Sequence, residues 1–362
     1  MKICFLGWAD HVHVERWVNY FAEAGHDVSV ISVSGQGSYL PSVRQFRLHA
    51  VPVSDRLRRM YLRYLLRRLR PDVVHVHWAP FVELLDGLWN GALVVTAWGS
   101  DIYAQNGSSQ AGWLRGLQRA HVLTCDSEDL ADRTARLTEV PRERVAVVQW
   151  GVDTDSFSPT AEPSPLATAL GIEGRPVVLS PRNFAPLYNL DTVVDAFGLV
   201  RRERADAVLL MKRYAGSDDY VERIRGKIEQ AGLTESVKIV DRVPYDQMPD
   251  FYRSGQVLVS VPSSDATPVS LLEGMACGCS PVVSDLPSVR EWVRDRWNGR
   301  IVPIADAAAL GRAICDLLAD GSTRRTFQAR NRELVERAAS QRASMTRMTG
   351  LYEAALAASP GS

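Results

Sequence analysis

Short apolar runs alternate with segments whose apolar positions recur every three or four residues, from the first residues to about position 305. Ile3–Leu6, Val28–Val33, Phe46–Val51, Val73–Val76, Leu93–Thr96, Val122–Thr124 and Val145–Val148 read as buried strands. Helix-capable segments, such as the one through Trp17 and Phe21, precede most of them, and strands separated by helices are the pattern of a parallel sheet. After Val148 the stretch QWGVDTDSFSPTAEPSPLATALGIEGRP concentrates Gly, Pro, Ser, Thr and Asp, which marks a linker. The alternation then restarts with Val177–Ser180, Ala207–Met211, Val237–Val240, Val257–Val261, Pro281–Ser284 and Arg300–Val302. Residues 306–358 read as consecutive helices, the last carrying a stripe of Met348, Leu351, Tyr352 and Leu356 suited to docking. The expected fold class is therefore α/β, with two Rossmann-like doubly wound domains at residues 1–158 and 159–340. A C-terminal helix, 341–362, is expected to return to the first domain. Ligands of open parallel sheets bind beyond the carboxyl ends of the strands, so two such domains facing each other would frame a cleft.

Candidate chemistry concentrates in SSDATPVSLLEGMACG, residues 263–278. A buried strand (Val257, Leu258, Val259, Val261) leads into a helix whose apolar face carries Val269, Leu271, Leu272, Met275 and Ala276. Pro268 suits the first helical turn, and the N–H groups just after it lack intrahelical partners, so Thr267, Pro268 and Val269 mark a place for phosphate oxygens. Asp265 precedes that anion site and Glu273 lies about one helical turn inside it. Two carboxylates so placed can grip different hydroxyl-bearing parts of one ligand, a sugar and a ribose. The competing account makes Asp265 a helix cap and Glu273 a solvated acid favoured by the helix dipole.

Length and charge narrow the field. A chain of 362 residues exceeds what one core usually supports. Forty-two basic side chains balance 42 acidic ones, so the summed field gives no reason to expect nucleic acid as a partner. Five cysteines (Cys4, Cys125, Cys277, Cys279, Cys315) show neither a disulfide framework nor paired metal-binding spacing, which fits a reducing cytoplasm. His75 and His77 share a strand face without a visible third ligand, so no metal site is expected. The apolar start, Lys2 to Leu6, is too short for a signal or membrane span and reads as a first strand. One segment carries concentrated charge: DRLRRMYLRYLLRRLR, residues 55–70, places Arg56, Arg59, Arg63, Arg67 and Arg70 along one helical stripe. It is either a solvated face in an arginine-rich chain or a peripheral contact with an anionic membrane surface.

Taken in order, KICFLGWADHVHVERWVNYFAEAGHDVSVIS, PDVVHVHW, VVTAWGSDI, VVQWGVDTDSFSP and DATPVSLLEGMACGCSPVVSDLPSVREWV resemble GT-B-fold retaining glycosyltransferases of family 4, also called glycosyl transferases group 1. The last segment is similar to the family's E-x7-E motif, with Asp265 in the first acidic place and Glu273 in the second. The resemblance implies that Glu273 binds the donor ribose, while Asp265 and Thr267–Val269 hold the sugar and diphosphate. SPRNFAPLYNLDTVVDAF resembles the family's donor-phosphate loop, with Arg182 as the phosphate-binding arginine. The usual partner lysine is absent, its place falling near Tyr188 or Asn189. Lys212, one of four lysines against 38 arginines, is a candidate replacement, and Arg213 is the adjacent choice because successive strand residues face opposite ways.

In the first domain Gly7 stands where close backbone approach to the diphosphate is expected. His13 is a candidate contact for acceptor or phosphate. Trp98 occupies the place of a family histidine, with Ser100 and Asp101 after it as sugar or acceptor contacts. The implied donor is a nucleoside-diphosphate sugar, UDP-linked first, GDP- or ADP-linked next, with no other cofactor and no metal. The implied reaction is transfer to an acceptor hydroxyl or amine of a glycan, a lipid-linked substrate or a small molecule, with the anomeric configuration retained. A sugar-nucleotide epimerase on the same fold and a non-catalytic nucleotide-sugar-binding protein are the rival readings. Acceptor recognition falls to the loops around residues 34–45 and 103–112, whose sequence is uninformative. Oligomeric state is not encoded in any pattern.

Overall fold

The computed structural model describes residues 1–50, 54–103, 111–162, 164–214 and 216–359. It resolves into two compact units, one of residues 1–150 and 344–362 and one of residues 151–343. Each is an open sheet in which every strand pair is parallel, as the alternation of strand and helix predicts.

In the first unit the strands are β1 (Lys2–Trp8), β2 (Asp27–Ser34), β3 (Arg44–Arg47), β4 (Val73–His77), β5 (Ala92–Thr96), β6 (Val122–Cys125) and β7 (Val145–Val147), in spatial order β3-β2-β1-β4-β5-β6-β7. All five residues of both β4 and β5 are buried, because helices cover both faces of a parallel sheet. β3 lies earlier than Phe46–Val51, the run that the apolar pattern selects. As an edge strand it needs one partner, and the register Ser29↔Arg44 to Ser32↔Arg47 places charged ends outward. The rest of that predicted run leaves the ladder at Leu48, and Val51 lies outside the described residues, as do residues 104–110 of the loop expected to frame an acceptor pocket.

The closing helix, Gln341–Ala357, buries Met345, Met348, Tyr352 and Ala355, whereas Leu351 and Leu356 are half-buried. Its anchor is polar. The Tyr352 hydroxyl meets His75 Nδ1 at 2.7 Å, His75 Nε2 meets Thr96 Oγ1 at 2.6 Å, and Thr96 meets Thr124 at 2.6 Å. This chain of four side chains crosses β4, β5 and β6 inside the core and satisfies groups that would be costly to leave unpaired. His75 is thus structural, with its basicity pushed well below the ordinary histidine range by burial and then by His77.

The second unit contains β8 (Val177–Ser180), β9 (Val208–Arg213), β10 (Val237–Asp241), β11 (Val257–Ser260), β12 (Ser280–Ser284) and β13 (Arg300–Val302), ordered β10-β9-β8-β11-β12-β13. One core cluster gathers Val178, Phe197, Leu209 and Ile314, and a second gathers Leu179, Leu258, Leu271 and Met275. Alternate residues of β8 therefore enter different clusters, as the two-residue period of a strand requires. Val152 and Phe157 belong to the second cluster, and Val152 bridges Ser340, so the chain enters this unit earlier than the boundary after residue 158 read from composition. In both sheets the strand order runs outward from one central pair, β1 with β4 and β8 with β11. That reversal is where a doubly wound sheet opens a crevice at its carboxyl end.

Candidate active site

Charge gathers at the reversal of the second sheet. Arg182 follows β8, Asp265 follows β11, and the Arg182 Nη2 to Asp265 Oδ2 distance is 2.7 Å. The guanidinium also reaches Ser270 Oγ at 3.3 Å and lies over the Tyr188 ring with 4.2 Å to its centroid. Side-chain exposure is 10% for Arg182 and 19% for Asp265, so neither charge is well served by water and each depends on the other. Burial pushes the Asp265 carboxyl up, and the Arg182 charge only partly offsets it. Burial opposes the charge on Arg182 too, but Asp265 and Tyr188 together hold its pKa above the ordinary value. Asp265 is therefore not a helix cap.

Glu273 sits in the helix Val269–Ala276 and is 4% exposed, which rules out a solvated first-turn acid. The Tyr245 hydroxyl donates to its Oε1 at 2.9 Å and the Tyr252 hydroxyl to its Oε2 at 2.9 Å. A buried carboxylate demands such donors. Neither tyrosine was indicated by the motif spacing. The usable signal was that a buried tyrosine hydroxyl and a buried carboxylate each require a partner. Pro268 is the residue preceding the helix rather than a member of its first turn, and Thr267 accepts a bond from Trp292 Nε1 at 3.2 Å.

Lys212, near the carboxyl end of β9, feels both neighbours: burial lowers its pKa, Glu273 raises it, and Arg182 lowers it again. Arg213 is not brought into this group. Its guanidinium pairs with Asp241 at 2.5 Å, directly across the β9–β10 register, because it leaves the strand on the face opposite Lys212. Tyr188 and Asn189, where the family's lysine was expected, supply no cation. Tyr188 stacks on Arg182, and Asn189 Nδ2 donates to Val261 O and Ser263 Oγ, both at 2.9 Å, tying the loop after β8 to the loop after β11. A cavity of about 350 Å³ elsewhere in this unit is lined by Arg300, Arg312 and Asp316, but it lies beside β13, away from these residues.

The first unit gathers aromatic rings instead. Trp8, Trp78 and Trp98 stand at or just after the carboxyl ends of β1, β4 and β5, with Trp8 to Trp78 centroids 4.8 Å apart and Trp8 to Trp98 centroids 5.4 Å apart. At Gly7 the backbone packs closely on the neighbouring strand: a Cβ there would lie 3.1 Å from His77 Cβ and 3.2 Å from its carbonyl oxygen, tighter than most such contacts. His13 stacks on Trp150 at 4.6 Å with an 18° interplanar angle. Burial, followed by His11, Arg16 and His77, drives its pKa well down, so it is a neutral imidazole and no counter-charge for phosphate. Asp101 is 2% exposed; Oδ1 accepts from the Trp98 and Gly99 N–H groups and Oδ2 from that of Ala79, each at 2.9 Å. Burial raises its pKa to about 6 against those bonds. Its carboxylate shapes the loop that carries Trp98, while Ser100 is exposed at the start of the helix Ser100–Tyr103. Among the described residues no group of three or more His, Cys, Asp or Glu could hold a metal ion.

Comparison with known proteins matches each unit separately. The family model described as glycosyl transferases group 1 covers residues 167–334, and the model described as glycosyltransferase family 4 covers residues 11–156. A phosphatidyl-myo-inositol mannosyltransferase of Mycolicibacterium smegmatis is 27% identical over 341 residues, 90% of this chain and 85% of that one. Among solved structures, sucrose-phosphate synthase from Thermosynechococcus elongatus superposes with a TM-score of 0.83 at 20% identity over 99% of this chain and 100% of that one. HepE from Anabaena, solved with UDP and glucose, does so with a TM-score of 0.83 at 15% identity over 98% and 99%. At such identities these two likenesses speak for the fold.

The electrostatics of the second unit have a direct readout. With only four lysines in the chain, an NMR titration of Lys212 should return a pKa below 10.5. Glu273→Gln should lower it further and Arg182→Ala should raise it, since one neighbour favours the ammonium and the other opposes it. A value at or above 10.5, or insensitivity to both changes, contradicts the arrangement.

Proposed function

The chain belongs to the group 1, family 4 glycosyltransferases, and we propose that its second unit holds a nucleoside-diphosphate sugar at the Arg182, Lys212 and Glu273 cluster while the first unit presents the acceptor. The observation that carries this reading is the convergence of one guanidinium, one ammonium and one tyrosine-braced carboxylate at the reversal of the second sheet. The two cations neutralise the diphosphate. Glu273, oriented by Tyr245 and Tyr252, accepts from the ribose hydroxyls, and the residues around Thr267–Val269 offer backbone N–H groups to phosphate. Asp265 retains one oxygen on Arg182 and turns the other toward the sugar. UDP is the preferred donor nucleotide, a choice supported by the solved relative that holds UDP.

Departure of the diphosphate leaves negative charge on its oxygens, and fixed positive groups aimed at that charge stabilise the transition state without reorganising. Arg182 and Lys212 fill this role in place of a divalent ion. The bond from the anomeric carbon to the leaving phosphate breaks, the acceptor oxygen bonds to the same face, and the acceptor proton passes to the departing phosphate oxygen. The configuration is retained, and no side chain is needed as general base.

The arginine-rich helix, Asp55–Leu69, adds a location. Leu62, Leu65, Leu66 and Leu69 are buried, while Leu57, Met60 and Tyr64 are 40%, 58% and 53% exposed beside Arg56, Arg59, Arg63 and Arg67. Apolar side chains flanked by arginines suit the headgroup region of an anionic membrane. No helix among the described residues is long and apolar enough to cross a membrane. The reading is of an enzyme working in the cytoplasm against the inner membrane surface, a setting supported by five free cysteines.

Arg182→Ala should reduce transfer from a UDP-sugar by about 10²–10³ in turnover, the usual effect of deleting one preorganised charge stabiliser. Near-normal turnover would refute the role of Arg182, and a donor isomerised without any acceptor would identify an epimerase instead. For the helix, co-sedimentation with anionic liposomes should occur at low salt, weaken as salt rises and fail for an Arg59→Glu, Arg63→Glu, Arg67→Glu variant; absence of pelleting by the wild type removes the membrane contact.

A further inference from the structure

The aromatic group of the first unit is not accounted for by donor binding. Trp8 and Trp78 flank the β1–β4 reversal of the first sheet, and Trp98 follows the adjacent strand β5. Trp8 packs at 4.8 Å from Trp78, 5.4 Å from Trp98 and 5.2 Å from Phe81, the last two edge-on, and all four rings are half-buried. Large aromatic side chains of a folded domain are usually drawn into its core, so four left partly open together at a ligand-binding edge call for an explanation. Trp78 adds a second, independent sign. Its backbone stands at φ 83°, a left-handed setting that a bulky residue adopts at a cost of about 1–3 kcal/mol and that recurs at binding sites.

The polar atoms among these rings narrow the ligand. Among the described residues Trp98 Nε1 and His13 Nδ1 are buried without a hydrogen-bond partner, and the His11 ring lies edge-on to Trp98 at 4.4 Å. An alkyl chain would match the ring faces but leave those nitrogens unpaired, a costly state for buried polar groups. Burial keeps His11, His13 and His77 neutral at pH 7, so the imidazoles here offer hydrogen bonds and no positive charge. A six-membered polyol ring has an apolar C–H face for an indole and hydroxyls at its rim for the nitrogens.

We propose that Trp8, Trp78 and Trp98 form an acceptor subsite that takes an uncharged pyranose or cyclitol ring stacked face-on. This deepens the glycosyl-transfer reading and rests on it. It assigns Trp8 and Trp78 to selection of the acceptor by ring shape.

The test uses the full chain and saturation-transfer NMR with methyl α-D-glucopyranoside as probe. Transfer should be strongest to protons on one ring face. Trp8→Ala and Trp78→Ala should each weaken binding by roughly two- to tenfold, the range of one ordinary aromatic contact, and Trp8→Tyr should restore it. Sorbitol, with the same hydroxyl chemistry but no ring, should give no signal, and glucose 6-phosphate should bind no better than the methyl glucoside. Far-UV circular dichroism and the unfolding midpoint of the full chain serve as the control for folding in both variants, and UDP-induced thermal stabilisation, read on the second unit, should be unchanged. Equal signals in wild type and both alanine variants, a sorbitol signal as strong as the glucoside's, or a clear preference for the phosphorylated sugar would each overturn the proposal. A silent glucoside with normal UDP stabilisation sinks the subsite and leaves the donor reading intact. Glucoside binding on the tryptophans without any response to UDP would do the reverse.

Discussion

The ion pair between Arg182 and Asp265 is the constraint around which the second unit is organised. Two charges largely removed from water lose several kcal/mol of solvation each, and their attraction recovers this only with close geometry and further hydrogen bonds. Here the guanidinium has Asp265 on one edge, Ser270 within reach and the face of Tyr188 beneath it. The same logic explains Glu273, which is buried only because two tyrosine hydroxyls and a nearby ammonium make burial tolerable. Such a group is settled without ligand yet suited to exchange, because a diphosphate brings oxygens that can replace or join the carboxylate at Arg182.

The two units apply one topology to different chemistry. Each is a parallel sheet whose strand order reverses once, and each places its unusual residues at the carboxyl ends of the strands flanking that reversal. In the second unit those residues are charged and mutually paired. In the first they are indoles and neutral imidazoles, with the buried carboxylate of Asp101 accepting from three backbone N–H groups and that of Asp126 accepting from Trp150 Nε1. The proposed phosphate-rich donor and uncharged acceptor ring would account for this division of labour. The polar chain from Tyr352 through His75 to Thr124 ties the last helix to the sheet that carries the aromatic residues.

Much of this was legible in the amino-acid order because periodicity reports burial. The strand runs located both sheets, and the acidic pair around a helix start located the charged cluster. Contacts across sequence were not legible. Nothing in the spacing announces that Tyr245 and Tyr252 brace Glu273, or that Tyr188 takes a stacking role at Arg182. Alternation around Lys212 and Arg213 offered two candidates, and only the position of Asp241 on the neighbouring strand separated them. The places of Asp101 and His13 in the sequence suggest ligand contacts but carry no information on burial. The structure adds what the order could not: Asp101 accepts from the backbone of the loop that carries Trp98, and His13 is a buried, neutral ring stacked on Trp150. The edge strand β3 shifted for a similar reason, since a strand with a single partner is placed by its register rather than by its own apolar run.

The central claim is that the charges at the second unit's reversal recognise a diphosphate. The most direct test compares the affinities of UDP and uridine by calorimetry in the wild type and in Arg182→Ala. The account predicts a strong preference for UDP that largely disappears in the variant while uridine binds as before. An undiminished preference would place the diphosphate on other residues and contradict it.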